Sequence, residues 1–197
     1  MIDPKFEIDK EAFDKCVAFA QASVDSSADK YARRKQFNTA KIMDDIRNGK
    51  LAEEFVYRKL VPQFPDLSQP DYSIYEKKQK SWDPDLKDPK IPLRIAVKSQ
   101  DIKSEILYGR SWVFQYGNGG KFDCDTGIFK EQDENHYVCL VSMNIPKRAG
   151  ELRAIVKIKW LHENNLFQPM KRLNLQGNKL AVYYEDLEKF SDQLWQL

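Results

Sequence analysis

The stretch that most constrains the fold lies near the middle of the chain, at residues 93–100, and reads Leu-Arg-Ile-Ala-Val-Lys-Ser-Gln. Its apolar side chains alternate with charged or small ones, and a period of two predicts a β-strand with one face in the core. The preceding residues 88–92 hold an Asp and two prolines, a composition typical of a turn. The sequence therefore predicts a hairpin that brings Asp85 on one strand beside Lys98 on the next, at the edge of a sheet.

Composition predicts one domain with a well-formed core. The 197 residues are 42% hydrophobic and 12% aromatic, which provides enough side-chain area to bury. The formal net charge of +2 gives no general positive field, so any nucleic-acid site must be a local basic patch. No apolar run approaches the roughly 18 residues of a membrane span, and the polar N-terminus lacks a signal-peptide core. Three cysteines, an odd and sparse set, fit a reducing compartment, so we expect a soluble cytoplasmic protein with no membrane partner.

Hydrophobic periodicity predicts alternating helices and strands along the chain. Helices are expected over residues 10–35, from residue 38 or 39 to residue 60, over 101–108 and over 185–197. Strands are expected, besides the central hairpin, at residues 72–78, 111–116, 137–143, 152–160 and 177–184. We interpret the chain as a single domain with an N-terminal helical extension at 1–37, a core at 38–160, and a C-terminal strand and helix at 161–197.

An acidic side chain lies on or beside the apolar stripe of the second helix. Val56 and Leu60 are four residues apart, and Glu53 lies three residues before Val56. Burying an unpaired carboxylate is costly. Glu53 therefore indicates either a functional carboxylate or a surface acid paired with Arg58 or Lys50.

Three short patterns together resemble a known family. They are Gly-x-x-Ala-Glu-x-x-Val at residues 49–56, Pro84-Asp85, and Ala96-Val97-Lys98. This arrangement resembles the PD-(D/E)XK nuclease superfamily, which includes many restriction endonucleases and Holliday-junction resolvases. The resemblance covers about the middle third of the chain, residues 49–100. It departs from the family motif at Ala96, where the family has Asp or Glu.

The resemblance implies a fold and a chemistry. The fold would be an α/β (α+β) restriction-endonuclease-like αβββαβ core, with a central mixed sheet flanked by helices. The chemistry would be Mg²⁺-dependent hydrolysis of phosphodiester bonds, with Mn²⁺ as a substitute cation. By the same resemblance, Asp85 is the shared metal ligand, Lys98 the catalytic lysine, and Glu53 the acid on the helix, and the backbone carbonyl of Val97 is an additional ligand.

The alanine in the motif leaves several assignments open. The missing charge could come from Glu53, Asp83 or Asp71, and Gln100 could contribute a neutral oxygen, or the site could be degenerate and only bind. Asp71 also follows a proline, but Asp85 is preferred because one tight hairpin separates it from Lys98. Glu54 is the fallback for Glu53.

Basic and aromatic residues near the motif indicate a nucleic-acid partner rather than a small substrate. Lysine and arginine contacts to phosphate add salt-sensitive affinity that does not depend on sequence, and aromatic rings can stack on bases. The basic candidates are Lys77, Lys78, Lys80, Lys87, Lys90 and Arg94, and the aromatic candidates are Tyr72, Tyr75 and Trp82.

Two functions follow from these expectations. The first is a metal-dependent DNA endonuclease of the restriction or resolvase type. Because cutting both strands of a duplex usually needs two active sites, we expect a homodimer or a partner subunit. The alternative is a catalytically degenerate nucleic-acid-binding or assembly protein on the same fold.

Overall fold

The central strand that the alternating pattern predicts is present and organises the main sheet. The computed structural model describes residues 3–33, 36–75, 84–115, 135–172, 176 and 179–197. Strand β3 (Leu93–Asp101) pairs antiparallel with strand β2 (Leu86–Asp88). In the turn between them, the Asp88 side chain accepts a hydrogen bond of 2.8 Å from the backbone N–H of Lys90, which is the local bonding that favours Asp in turns. The predicted hairpin is therefore confirmed.

Five strands form a curled mixed sheet in the order β1-β6-β5-β3-β2. The other strands are β1 (Lys5–Glu7), β5 (His136–Asn144) and β6 (Ala149–Lys157). Strand β5 pairs parallel with β3 and antiparallel with β6, and its nearly continuous burial fits its place in the interior of the sheet. The fold is thus a mixed α/β structure, as expected.

Two long helices cover one face of this sheet. They are α1 (Lys10–Arg33) and α2 (Thr39–Leu60), and they pack against each other. Asn38 begins α2 by accepting a hydrogen bond of 3.0 Å from the backbone N–H of Lys41, as an N-cap residue does. The first core lies between these helices and the sheet, and includes Leu51, Val56, Leu60, Leu86, Ile95, Val97, Cys139, Val141 and Ile155.

A smaller sheet and short helices cover the opposite face. The smaller sheet has the order β4-β8-β7, with β4 (Ser111–Gln115), β7 (Gln168–Pro169) and β8 (Lys179–Tyr183). Helix α3 (Ile102–Tyr108) connects β3 to β4. The second core includes Ala96, Trp112, Phe114, Val138, Leu140, Ala154, Val156, Leu161 and Leu187. Neighbouring residues of β3 therefore point into different cores, because side chains alternate across a strand.

Two predicted strands differ from the structure. The expected strand at residues 72–78 is wrong for 72–75, which form no regular structure. The Asp71 side chain accepts hydrogen bonds from the Ser73 backbone N–H, at 2.8 Å, and from the Tyr75 hydroxyl, and such local bonds compete with strand pairing. Residues 76–78 lie outside the described residues. The strand expected at 152–160 ends at Lys157, where helix α4 (Ile158–Glu163) begins.

The C-terminal segment is not the single helix that its apolar spacing predicts. It forms one short helix, α5 (Tyr184–Leu187), followed by a 3-10 segment at Glu188–Gln193. Trp195 then forms a parallel bridge to Ile155 of the main sheet. Pairing with the sheet therefore replaces the last turns of the predicted helix. Within the part of the chain that the structure describes, no helix has both the length and the apolar composition needed to cross a membrane.

Strand β1 is held against the sheet by a close approach at a glycine. Phe6 lies opposite Gly150 in the β1–β6 pair and stacks on Phe55 of α2, with ring centroids 3.3 Å apart. A methyl group at Gly150 would overlap the Phe6 ring and lie 2.9 Å from the carbonyl oxygen of Ser142.

We therefore expect Gly150→Ala to lower the free energy of unfolding by about 1–3 kcal/mol, the usual effect of overpacking. Chemical denaturation measures this change. The matched control is Gly49→Ala in helix α2, where an added methyl group meets nothing within 4 Å and should slightly stabilise the helix. Equal loss of stability in both variants would contradict the role assigned to the Phe6 contact.

Candidate active site

Asp85 lies at the edge of the main sheet, directly before strand β2. Its Oδ2 accepts a hydrogen bond of 2.7 Å from the backbone N–H of Val97. The β2–β3 ladder ends at the pair Leu86–Ile95. Beyond that pair, the Asp85 carboxylate replaces the backbone carbonyl that would accept the next hydrogen bond of the ladder. The N–H and C=O of one strand residue point to the same side, and the Val97 carbonyl oxygen therefore faces the same edge as the Asp85 carboxylate.

Glu53 of helix α2 approaches this edge from the face that the long helices cover. Its side chain is only 11% exposed, and Oε2 lies 2.5 Å from Nζ of Lys50. Burial, followed by the negative charge of Asp85, raises the pKa of Glu53 to about 8, and the Lys50 ammonium opposes that rise. Burial also raises the pKa of the Cys139 thiol on the same face, with a further contribution from Asp85. The helix acid and the edge acid are therefore close enough to interact electrostatically.

Asp71 is a third acidic group near Glu53. Burial acts to raise its pKa, but hydrogen bonds from Tyr75 and Ser73, together with the charge of Lys50, hold the pKa below its usual value. Asp71 also contributes to the raised pKa of Glu53. The two proline-preceded acids, Asp71 and Asp85, thus both lie within electrostatic range of Glu53, so they are not exclusive alternatives.

Glu54 is buried like Glu53 but belongs to a different network. Its carboxylate accepts hydrogen bonds from the Tyr72 hydroxyl at 2.9 Å and from Nε of Arg58 at 3.2 Å, and it lies 3.5 Å from Nζ of Lys15. The Tyr72 hydroxyl also contacts Sγ of Cys16 at 3.4 Å. This network fastens the segment around Tyr72 to both long helices, and it assigns Glu54 a structural role.

Lys98 lies on the opposite face of the sheet from Glu53. Its Nζ is 5.3 Å from the ring centroid of Phe114, which belongs to the second core together with Ala96. Glu53 and Asp85 lie within electrostatic range of each other, and the Lys98 side chain leaves strand β3 on the face that carries Ala96.

The Gln100 side chain joins elements instead of facing the carboxylates. Its Nε2 donates a hydrogen bond of 2.9 Å to the carbonyl oxygen of Gly109, and its Oε1 accepts one of 2.8 Å from the Ser111 backbone N–H. Both contacts hold the end of helix α3 and the start of strand β4 against β3. The Gln100 Oε1, the candidate for a neutral metal ligand, therefore accepts the Ser111 N–H instead.

Two of the predicted basic residues form a pair on the β2–β3 hairpin. Lys87 and Arg94 are direct cross-strand partners, and both are exposed. Lys90 is also exposed, with its Nζ 2.8 Å from a carboxylate oxygen of Asp66. Lys77, Lys78, Lys80, Trp82 and Asp83 lie outside the described residues.

Lys50 is the residue near the carboxylates that the sequence analysis considered only as a surface partner. It lies three residues before Glu53, one helical turn away, which is the only sequence signal that could have identified the pair. Among the described residues, no three His, Cys, Asp or Glu side chains form a group able to hold a metal ion.

Comparison with known proteins gives no relative of this chain. No family model, no curated protein and no solved structure matches it.

Proposed function

We propose that this chain is a metal-dependent endonuclease that hydrolyses phosphodiester bonds in DNA. The observation that carries the proposal is the approach of two carboxylates from different elements, Glu53 from helix α2 and Asp85 from the sheet edge. Charging the buried Glu53 beside the half-buried Asp85 costs free energy, and a bound cation would offset that cost. A site with such a pair is a candidate functional site for this physical reason.

The donor set fits a hard divalent cation. Glu53 and Asp85 supply carboxylate oxygens, and the Val97 carbonyl oxygen faces the same edge. Mg²⁺ prefers oxygen ligands, and it usually binds through one or two carboxylates while it keeps several waters. When bound, Mg²⁺ or Mn²⁺ would lower the pKa of a coordinated water and offset charge on the phosphate.

The chain's own residues have separable roles in this proposal. Asp85 and Glu53 hold the cation, and the hydrogen bond from the Val97 N–H fixes the Asp85 carboxylate at 2.7 Å. Lys87 and Arg94, on the face of the hairpin that also carries Lys98, contact the phosphate backbone of the substrate beyond the sheet edge. Such contacts position a duplex without reading its sequence.

The order of elements also supports the proposal. Helix α2, strands β2 and β3, helix α3, strand β4 and strand β5 follow one another along the chain, with β3 and β5 parallel and β4 in the smaller sheet. The core that the resemblance implies has three strands between its two helices, and the described residues supply two of them, β2 and β3. Ala96 is completely buried within the second core, so an acid at this position would be surrounded by apolar side chains. In this chain the carboxylates are supplied from other positions.

A degenerate binding protein is the second candidate function. It is favoured by the placement of Lys98, whose Nζ lies 5.3 Å from the ring centroid of Phe114 in the second core, across the sheet from Glu53. In that case the hairpin cations would still bind DNA, and no bond would be cut.

We expect purified protein to nick supercoiled plasmid in Mg²⁺ or Mn²⁺. Nicking should stop when EDTA is added, because the carboxylate pair requires a cation to act on phosphate. Agarose gel electrophoresis separates supercoiled, nicked and linear plasmid. Linear product at low protein concentration would indicate two sites acting together, as in a homodimer or a complex with a partner subunit. DNA binding by filter retention with no nicking in any of these cations would favour the degenerate binding protein.

A further inference from the structure

The site contains a partly buried ammonium, that of Lys50, which the resemblance to nucleases does not assign. Lys50 is 15% exposed at its side chain, and its Nζ lies 2.5 Å from Oε2 of Glu53. Few lysines are so deeply buried in proteins unless a charged partner compensates them. Here the partner is itself one of the two acids that would hold the cation.

Aromatic side chains restrict the position of this ammonium. Nζ of Lys50 lies 5.4 Å from the ring centroid of Phe19 and 5.7 Å from that of Tyr72. These two rings pack edge to face, with centroids 5.3 Å apart, and the Tyr72 hydroxyl is held by Glu54. Attraction between a cation and a ring face lies within this distance range. The ammonium is therefore held in place before any ligand arrives.

The sheet separates the two candidate lysines. Lys50 is on the α2 side, where its charge acts on both Glu53 and Asp71. Lys98 is on the other side, next to Phe114. Of these two described lysines, Lys50 is the one on the face of Glu53.

We propose that Lys50, in place of Lys98, is the lysine that stabilises the transition state of phosphodiester hydrolysis at this site. The inference rests on the proposed function and assigns one role within it. In the reaction, a water oxygen forms a bond to phosphorus while the bond from phosphorus to the leaving sugar oxygen breaks. The water loses a proton to solvent, and the leaving oxygen takes one from solvent. Lys50 remains protonated throughout and hydrogen-bonds to a phosphate oxygen whose negative charge grows in the transition state.

The test compares substitutions that separate charge from position. Lys50→Gln keeps a hydrogen-bond donor for Glu53 but removes the charge, and Lys50→Arg keeps the charge. We expect Lys50→Gln to cut plasmid about a hundredfold more slowly at saturating Mn²⁺, in the range found when one transition-state donor is lost. Lys50→Arg should retain more activity than Lys50→Gln, and Lys98→Met should lose no more than about tenfold, or about 1.4 kcal/mol. Lys59→Met is the control, because Lys59 lies on the same helix and its Nζ is 3.6 Å from Asp3.

Mn²⁺ affinity, measured by calorimetry without DNA, gives the second readout. Removing a positive charge beside the ligands should leave Mn²⁺ binding as tight as in the wild type or tighter. Weaker Mn²⁺ binding in Lys50→Gln, with the cleavage rate restored at saturating Mn²⁺, would show that Lys50 only positions Glu53 and would overturn the proposal. Equal cleavage by Lys50→Gln and wild type, or loss confined to Lys98→Met, would also overturn it while leaving the proposed function intact. Failure of the wild type to cleave would overturn both.

Discussion

Replacing Asp85 by Asn is expected to slow plasmid cleavage by at least about a thousandfold, or about 4 kcal/mol of transition-state stabilisation. The substitution removes a negative charge from the proposed cation site, while an Asn oxygen can still accept the Val97 N–H that Asp85 accepts at 2.7 Å. The fold should therefore persist while cation binding is lost. The measurements are the cleavage rate in Mg²⁺ and Mn²⁺ and the Mn²⁺ affinity.

The matched control for Asp85 is Asp66→Asn. Asp66 is another acid near the hairpin, and its carboxylate contacts Nζ of Lys90 at 2.8 Å on the exposed surface. Solvent screens an exposed ion pair of this kind, so this variant should cleave and fold like the wild type. Cleavage by Asp85→Asn at the rate of the control would refute the proposed cation site.

Replacing Glu53 by Gln is expected to have opposite effects on activity and on stability. Cleavage should fall by about a hundredfold or more, or about 3 kcal/mol, because a cation ligand is lost. The metal-free protein should instead gain stability at neutral pH, because the wild type keeps Glu53 in a place that disfavours its charged form. The pKa of Glu53 is raised from 4.5 to about 8, first by burial and then by Asp85.

The stability effect should depend on pH in a defined direction. Below pH 4.5 the carboxyl is protonated in both the folded and the unfolded chain, so it adds no pH dependence. Between pH 4.5 and about 8 mainly the unfolded chain releases the proton, so the wild-type free energy of unfolding falls as pH rises. The stability advantage of Glu53→Gln over the wild type should grow over this interval. We expect it to reach about 3 kcal/mol at most, because the substitution also loses the contact with Lys50. Urea denaturation in EDTA at several pH values measures it.

Glu54→Gln is the matched control for this experiment. Glu54 is the next residue and is equally buried, but it accepts hydrogen bonds from Tyr72 and Arg58. Losing a carboxylate that accepts buried hydrogen bonds should destabilise the protein by about 1–3 kcal/mol, with cleavage retained. Stability curves for wild type and Glu53→Gln that stay parallel across this pH range would contradict the assigned electrostatics.

Local sequence patterns predict the strands and helices whose apolar side chains recur at a regular spacing. The alternation at residues 93–100 predicted strand β3, and Asp88 with its prolines predicted the turn before it. The spacing of Val56 and Leu60 predicted the buried face of helix α2, with Glu53 beside it. Each of these features depends on neighbours a few residues away, which a sequence displays directly.

The features that were missed depend on contacts between distant residues. Alternation shows that Lys98 and Val97 point to opposite faces, but it does not show which face helix α2 covers. Residues 72–75 have strand-like composition, yet Glu54 binds the Tyr72 side chain and Asp71 binds the Ser73 backbone, and the segment forms no strand. From the sequence, Lys50 and Glu53 resemble an ordinary surface pair. Their burial depends on contacts with distant side chains such as Phe19 and Tyr72, which the helix sequence does not display.

The hydrogen bond between the Asp85 carboxylate and the Val97 amide makes one backbone proton a reporter of the site. An amide proton bound to a carboxylate resonates at a frequency that depends on the charge and position of that group. Val97 also pairs with Cys139 in the parallel ladder, so the strand itself does not need to move for the signal to change. A single resonance in a nitrogen-edited spectrum can therefore test the proposed cation binding at Asp85 without a substrate and without any substitution.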